Sequence, residues 1–335
     1  MTDSRPFARQ AWLLLVSFVA TVAILAGLLA VVGGRERRTS GSPATVAVAP
    51  GLLGSPSASA GAINPSPNAF ADPVLVGAGD IADCGPSGDE ATANLLDGIA
   101  GTIFTAGDNA YPDGTAEQFA RCYDPTWGRF KARTRPAAGN HDWLTKGAAG
   151  YLGYFGRAAT NTDGQTWYSY DLGHWHIIVL DSDCAEVKGC DSASVEGQWL
   201  AADLATSKAS CTLAIWHHPR FSSGDHGNDL DVAPFWQALY AAGAEIVVNG
   251  HDHDYERFKP QAPSGAVDLA KGIREFVVGT GGTPLRPFKP SQPNSDIRAT
   301  VAPGVLKLTL HPRGYDWAFV STTGIFSDSG SATCH

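Results

Sequence analysis

The chain has 335 residues, 44% of them hydrophobic and 17% charged, with a net charge of −9. That composition supports a sizeable core and excludes a disordered chain. Without residues 1–39 there remain 19 basic against 31 acidic residues, a net charge of −12 with no basic run; this excludes non-specific nucleic-acid binding, which requires many phosphates to be neutralised.

Residues 1–10 form an N-terminal tail carrying Arg5 and Arg9. Ala11 to Gly34 contain no charge and read as one apolar stretch. A stretch of this length spans a hydrocarbon core of roughly 30 Å as a helix. It exceeds the apolar region of a cleaved signal, typically about 7–15 residues. The pattern predicts a transmembrane or signal-anchor helix over 11–34, attaching the protein to a membrane unless it is cleaved. Arginine flanks it on both sides, so orientation stays open. Residues 35–72, rich in Ser, Pro, Ala and Gly, predict a disordered linker. The six cysteines all follow the apolar segment and none lies in a CxxC pair. They predict disulfides in an oxidising compartment, so an extracytoplasmic protein, membrane-anchored or secreted. Cys184 and Cys190 are close enough to staple a loop; six cysteines allow 15 connectivities, and unpaired buried thiols stay the competing reading.

From Pro73 the pattern changes. PVLVGAGD predicts a strand, GDEATANLLDGIA a helix and GTIFTAGD a second strand. The rhythm returns in HWHIIVLDSD (strand), VEGQWLAADLATS (helix), CTLAIWHHP (strand), DVAPFWQALYAAG (helix) and AEIVVNGHDH (strand). REFVVGTGG, GVLKLTLHP and YDWAFV are strands without intervening helices, an added antiparallel portion. Residues 73–335 therefore read as one α/β catalytic domain.

Polar residues follow these strands in a regular way. Asp80 ends the first run and Asp108 the second; Asn140 and His141 lie in AGNHD, His217 and His218 follow TLAIW, and His251 and His253 lie in NGHDH. In open α/β sheets ligands bind at the carboxyl ends of strands. Singly, each signal is weak: an Asp after a strand is usually a turn former, and a lone His is usually a satisfied core residue. Together, five strand ends deliver Asp, Asp, Asn and histidines to one rim, a donor set for metal ions.

The ordered set GD, GDxxY, GNHD, a strand-end HxP and GHxH resembles the calcineurin-like metallophosphoesterases, and more narrowly the purple acid phosphatase branch. The likeness covers roughly Pro73 to Cys334. It implies a four-layer αββα sandwich. In most of the superfamily the first motif is Asp-x-His; here the third position is Ala82, which cannot coordinate, while GDNAY supplies Tyr111. The competing reading of Tyr111 is simple packing. A phenolate is a hard anionic ligand suited to ferric iron. Carried over, the resemblance implies a dinuclear centre. Asp80, Tyr111 and His253 hold Fe(III), Asp108 bridges, and Asn140, His217 and His251 hold a divalent ion such as Zn, Mn or Fe. His218 is then a neighbour rather than a ligand.

The implied reaction is hydrolysis of a small phosphate ester by metal-bound hydroxide, with ferric iron favouring an acidic optimum. His141 is the first candidate proton donor, with Asp142 orienting its ring. His226 is the second, with a plain surface histidine as the alternative. Arg220 and Arg257 are candidates either for phosphate contact or for structural ion pairs, and Asp254 and Tyr255 for support. A phosphomonoesterase is the leading reading. A phosphodiesterase or nucleotidase uses the same site, and a non-catalytic metal-containing module is the remaining class. A thiol phosphatase is excluded, since no Cys-x5-Arg loop is present. The larger plant enzymes carry an N-terminal β-sandwich domain, for which residues 35–72 leave no room. No protein partner follows from the sequence.

Overall fold

The computed structural model describes residues 72–85 and 87–335. The tail, the apolar segment at 11–34 and nearly all of the linker lie outside the described residues. Among the described residues no helix is long and apolar enough to cross a membrane.

The strands are β1 (Val74–Ala78), β2 (Thr102–Ala106), β3 (Thr134–Ala137), β4 (Tyr168–Leu172), β5 (Trp175–Val179), β6 (Cys211–Ile215), β7 (Ile246–Asn249), β8 (Tyr255–Phe258), β9 (Arg274–Val278), β10 (Ser295–Ala299), β11 (Gly304–His311), β12 (Gly314–Ser321) and β13 (Ser327–Thr333). The helices are α1 (Asp89–Asp97), α2 (Ala116–Gln118), α3 (Asn140–Leu144), α4 (Ala149–Phe155), α5 (Val195–Thr206) and α6 (Ala233–Ala242). Local chemistry sets their ends. Ser194 caps α5 by accepting from the Gly197 N–H at 3.0 Å, and Gly243 closes α6 in the left-handed region at φ 78°.

Two mixed sheets form, ordered β13-β12-β11-β1-β2-β3 and β10-β8-β9-β7-β6-β5-β4. The strand–helix units give parallel pairs: β1, β2 and β3 in the first sheet, and β5, β6 and β7 in the second. The late strands β11, β12 and β13 are antiparallel, as their lack of helices predicts. Within that late group, β9 departs from the antiparallel expectation and pairs parallel to β7. The intervening β8 hairpin turns the chain back, doing what a crossover helix does elsewhere.

Strand alternation divides the second sheet between two cores. Trp175, Ile177, Val179, Ile246 and Val248 join one cluster with Leu75, Ile103 and Leu306 of the first sheet. Their neighbours Ile178, Trp216, Val247 and Val277 point the other way, against Phe235, Trp236 and Leu239 of α6 and Leu200 of α5. Ala93 and Leu96 of α1 join the first cluster. Both faces of the second sheet are thus dry, and the polar residues gather at strand ends of both sheets.

Three disulfides close the described chain: Cys84–Cys122, Cys184–Cys190 and Cys211–Cys334. The loop staple expected at 184 and 190 is present.

Candidate metal centre

The polar residues lie within a few residues of strand ends, Asn140 after a strand (β3) that the sequence pattern did not predict. Asp80 follows β1, Asp108 follows β2, Asn140 follows β3, His217 follows β6 and His251 follows β7. The loops after β1 and β2 lie side by side, with Asp80 N donating to Gly107 O (3.1 Å), Ile81 N to Asp108 O (3.0 Å) and Ala82 N to Asn109 O (3.1 Å). Asp80 (φ 60°), Asp108 (φ 51°) and His251 (φ 69°) all occupy the left-handed region. Non-glycine residues seldom do so, and where they do the strain is held by surrounding contacts, commonly at functional sites. Gly107 (φ 84°) makes the approach possible: a Cβ there would lie 2.4 Å from His217 Nδ1.

The donors form two sets that share one atom. The Tyr111 phenol oxygen lies 2.8 Å from Asp80 Oδ1 and 2.7 Å from Asp108 Oδ2. His253 Nε2 lies 3.3 Å from both the phenol and Asp80 Oδ1. On the other side, His217 Nε2 is 3.3 Å from Asp108 Oδ2, 3.1 Å from Asn140 Oδ1 and 3.2 Å from His251 Nδ1. Asn140 Oδ1 is 3.1 Å from His251 Nδ1. Asp108 Oδ2 therefore belongs to both sets. Ala82 is wholly buried and offers no donor, while the Tyr111 oxygen lies between Asp80 and Asp108.

The tautomers fit a cation site. His217 Nδ1 is 2.8 Å from Ala106 O and His253 Nδ1 is 3.0 Å from Pro284 O. Each carbonyl takes the Nδ1 proton and leaves Nε2 a lone pair facing the cluster. The single phenol proton cannot serve both carboxylates. Lone pairs and anionic oxygens this close, with so few protons among them, make a candidate metal-binding site. Carboxylate, phenol and imidazole suit iron, zinc and manganese.

The electrostatics agree. Burial and then the charges of Asp108 and Asp80 push the Tyr111 phenol well above its usual range. Burial works against the Asp108 charge, but His217, by charge and hydrogen bond, and His141 hold the carboxyl well below the usual range. His217 is pushed up to about 10, because Asp108 and Asp80 outweigh the burial that opposes protonation. His251 is driven down by burial and by the neighbouring imidazoles His217 and His218. His218 falls to about 3, through burial and then His217. The carboxylates draw positive charge into the cluster, the field in which a cation is held.

Outside the two sets, the expected residues divide. His141 turns Nδ1 to Pro112 O, donates its backbone N–H to Asp108 Oδ1 (2.8 Å) and keeps Nε2 3.9 Å from Asp108 Oδ2. Asp142 does not orient His141. Its carboxylate, fully buried, accepts from Gly139 N (3.0 Å), Asn109 N (3.2 Å) and Asn109 Nδ2 (2.8 Å). The first turn of α3 points it inward, so it braces the loop carrying Asp108 against the loop carrying Asn140. His218 Nδ1 meets Ser182 Oγ at 2.8 Å and its ring lies 4.3 Å from that of His251. His226 stacks on His251 at 4.1 Å and turns Nδ1 to Asp252 Oδ1 at 3.1 Å.

Arg257 is a structural ion-pair partner of Asp296 and Asp328, and Tyr255 donates to Asp328. Arg220 stacks over Phe221. Asp254 O receives Gly279 N, supporting the loop that carries His251 and His253. Sequence reasoning missed Asp252, Ser182, Thr283 and Arg286. Asp252 lies between two recognised histidines in NGHDHD, a signal that was available; Arg286 sits in a loop with no motif.

Two cavities flank the cluster. One of about 360 Å³ is lined by Asn140, His218, Trp143, Ser182, Asp183 and Asp229. The other, about 250 Å³, is lined by Tyr111, His141, His253, Thr283 and Arg286.

The chain is similar to known proteins in sequence and in fold. Residues 66–255 match the calcineurin-like phosphoesterase family model. Purple acid phosphatase 21 of Arabidopsis thaliana is 28% identical over 229 residues, 60% of this chain and 51% of the relative. An uncharacterised protein of Mycobacterium tuberculosis is 28% identical over 184 residues, 44% of this chain and 35% of the relative. The chain thus spans at most about half the length of these two relatives. Among solved structures, a purple acid phosphatase from yellow lupin seeds superposes with TM-score 0.61 at 18% identity, covering 78% of this chain and 53% of the lupin chain. GAP50, the anchor in the inner membrane complex of Plasmodium, also reaches 0.61, at 16% identity, covering 79% of this chain and 90% of that one.

Proposed function

Because the chain belongs to the calcineurin-like phosphoesterase family, with its likeness to the purple acid phosphatase-like branch, we propose that it is a metal-dependent phosphatase with a dinuclear centre. The observation that carries the reading is the pair of donor sets meeting at Asp108 Oδ2. Asp80, Tyr111 and His253 would hold one cation, Asn140, His217 and His251 the other, with Asp108 common to both. Tyr111 makes Fe(III) the fitting occupant of the first position, and Zn, Mn or Fe(II) of the second. When bound, the two cations supply charge to neutralise the phosphoryl oxygens and to acidify water.

The chain's own residues do the rest. The strained loops after β1, β2 and β7 hold the donors in place, with Asp142 and Asn109 bracing two of them. His141 carries its available proton position, Nε2, on the Tyr111 side, suited to donate to the departing oxygen. His226, fixed by Asp252, and His218, fixed by Ser182, line the other edge. Dry faces on both sides of the second sheet support the four-layer αββα arrangement, and three disulfides support an extracytoplasmic setting.

Fold alone leaves a non-catalytic module open, since one structural neighbour of equal TM-score is described as an anchor. The complete donor set argues against it here. The test is to quantify iron, zinc and manganese in purified protein, record its visible spectrum, and assay 4-nitrophenyl phosphate. Near-stoichiometric iron with a tyrosinate absorption lost in Tyr111→Phe supports the full reading. Two divalent metals, no colour and an optimum above about pH 8 would remove the ferric assignment. No tightly bound metal and no hydrolysis would move the protein to the anchor-like class.

A further inference from the structure

We propose that Arg286 anchors the anionic end of the substrate and selects phosphate monoesters over diesters. This rests on the phosphoesterase reading above and adds the residue that decides the substrate class.

The segment carrying Arg286 is tied to the first donor set. Thr283 donates to Asp80 O from its backbone N (3.0 Å) and its Oγ1 (3.1 Å). Pro284 O fixes the His253 ring at 3.0 Å, and Arg286 N donates to His253 O at 3.0 Å. The Arg286 side chain therefore leaves a backbone registered against two proposed metal-holding residues. It lines the cavity of about 250 Å³ together with Tyr111, His141 and His253.

Its guanidinium is largely uncommitted. The nearest polar partner among the described residues is His226 Nε2, 3.2 Å from Nη1. His226 turns Nδ1 to the Asp252 carboxylate, so Nε2 is the acceptor of that Arg286 N–H. The nearest carboxylate oxygen, Asp225 Oδ2, is 4.0 Å away and half-exposed, and Lys289 already faces Asp225 at 3.5 Å. By contrast Arg257 is held by two carboxylates at 2.6 Å each and has no free charge to offer. Arg286 is a cation beside the site, and among the described residues most of its five N–H donors have no partner.

A monoester carries one more anionic oxygen than a diester, which has a second ester group in its place. A planar guanidinium recognises paired phosphate oxygens bidentately, and charge-assisted bonds of this kind are the strong ones. With two phosphoryl oxygens directed to the donor sets, a monoester still offers Arg286 a third anionic oxygen, whereas a diester places an uncharged ester group there, which covers the cation without pairing it and costs binding.

The test uses the metal-loaded full chain, with Arg286→Gln and Arg286→Lys, 4-nitrophenyl phosphate against bis(4-nitrophenyl) phosphate, and calorimetric binding of inorganic phosphate. For Arg286→Gln the expected outcome is a loss of about 10- to 100-fold in monoester kcat/KM, carried mainly by KM, with phosphate affinity weakened similarly. Diester kcat/KM stays within about threefold, and Arg286→Lys, which keeps the charge but not the planar fork, recovers only part of the monoester loss. Monoester and diester rates falling together at unchanged metal content, or unchanged phosphate affinity, would overturn the proposal. If wild-type protein hydrolyses neither ester, the phosphatase reading fails instead. Phosphate calorimetry then judges Arg286 alone: weaker binding in Arg286→Gln supports the anchor, and equal binding refutes it.

Discussion

Asp328 of β13 offers the sharpest test of how the two sheets are joined. Its Oδ2 accepts from Tyr255 OH (2.7 Å), Arg257 Nε (2.6 Å) and Trp317 Nε1 (3.2 Å), and its Oδ1 from Arg257 Nη2 (3.2 Å). Tyr255 and Arg257 belong to β8 of the second sheet, directly after the segment that carries His253. Asp328→Asn removes the charge, keeps one acceptor oxygen and places an amide N–H₂ among donors. Breaking a buried ion pair by removing one partner costs about 3–5 kcal/mol. Arg257 retains Asp296 at 2.6 Å, which points to the lower end, about 3 kcal/mol. At about 2 °C per kcal/mol for a body of this size, Tm falls by about 6 °C. The pH dependence fixes the sign. Burial opposes the Asp328 charge, but Arg257 and the Tyr255 hydrogen bond outweigh it and hold the carboxyl below its usual range. A group with a depressed folded pKa stabilises fully above its unfolded value, about 3.9, and loses that contribution as pH falls through the folded pKa. Scanning calorimetry of both proteins at pH 6 and at about pH 3 should therefore show the full gap at pH 6 and a closing gap in acid. A difference under about 1.5 °C at pH 6, or one that widens in acid, would refute the clasp.

Metal removal should be visible without any assay of activity. Two cations each present at 100 times their Kd add about 5 kcal/mol, so a chelator should lower Tm by about 10 °C, and Asp80→Asn should lose most of that response; an equal Tm with and without chelator counts against the centre. Gly107→Ala should cost at least about 3 kcal/mol and deplete the second metal, because its Cβ meets the buried His217 at φ 84°. The control Gly324→Ala, at φ 70° with open space around it, should cost only about 1 kcal/mol; equal losses would sink the steric argument. Replacing both Cys84 and Cys122 by Ser opens a bridge of sequence separation 38, for which chain entropy gives about 4 kcal/mol. Denaturant melts of oxidised and substituted protein check it, and a shift under 1 kcal/mol would show that the bridge closes a loop already ordered.

The donor set was legible because each donor lies next to a strong local signal. A buried parallel strand reads as an apolar run, and the residue after it falls at the rim where ligands bind. Hence strand ends pointed to Asp80, Asp108, His217 and His251 as polar rim residues, while the motif resemblance added Asn140 and Tyr111 and gave all of them their roles. The even cysteine count after residue 39 pointed to bridges for a similar local reason.

What required the tertiary structure was every partner set by distant packing. The Asp142 carboxylate grips Asn109, 33 residues away, because α3 turns it inward, whereas sequence adjacency alone pairs it with His141. β9 lies parallel to β7 only because the β8 hairpin reverses the chain between them. Arg286 reaches His226, 60 residues before it, through a loop held by Asp80 and His253. Residue type and periodicity determine what each strand end can donate. Which of those ends meet, and which charges remain unpaired beside them, is decided by how two separately formed sheets pack.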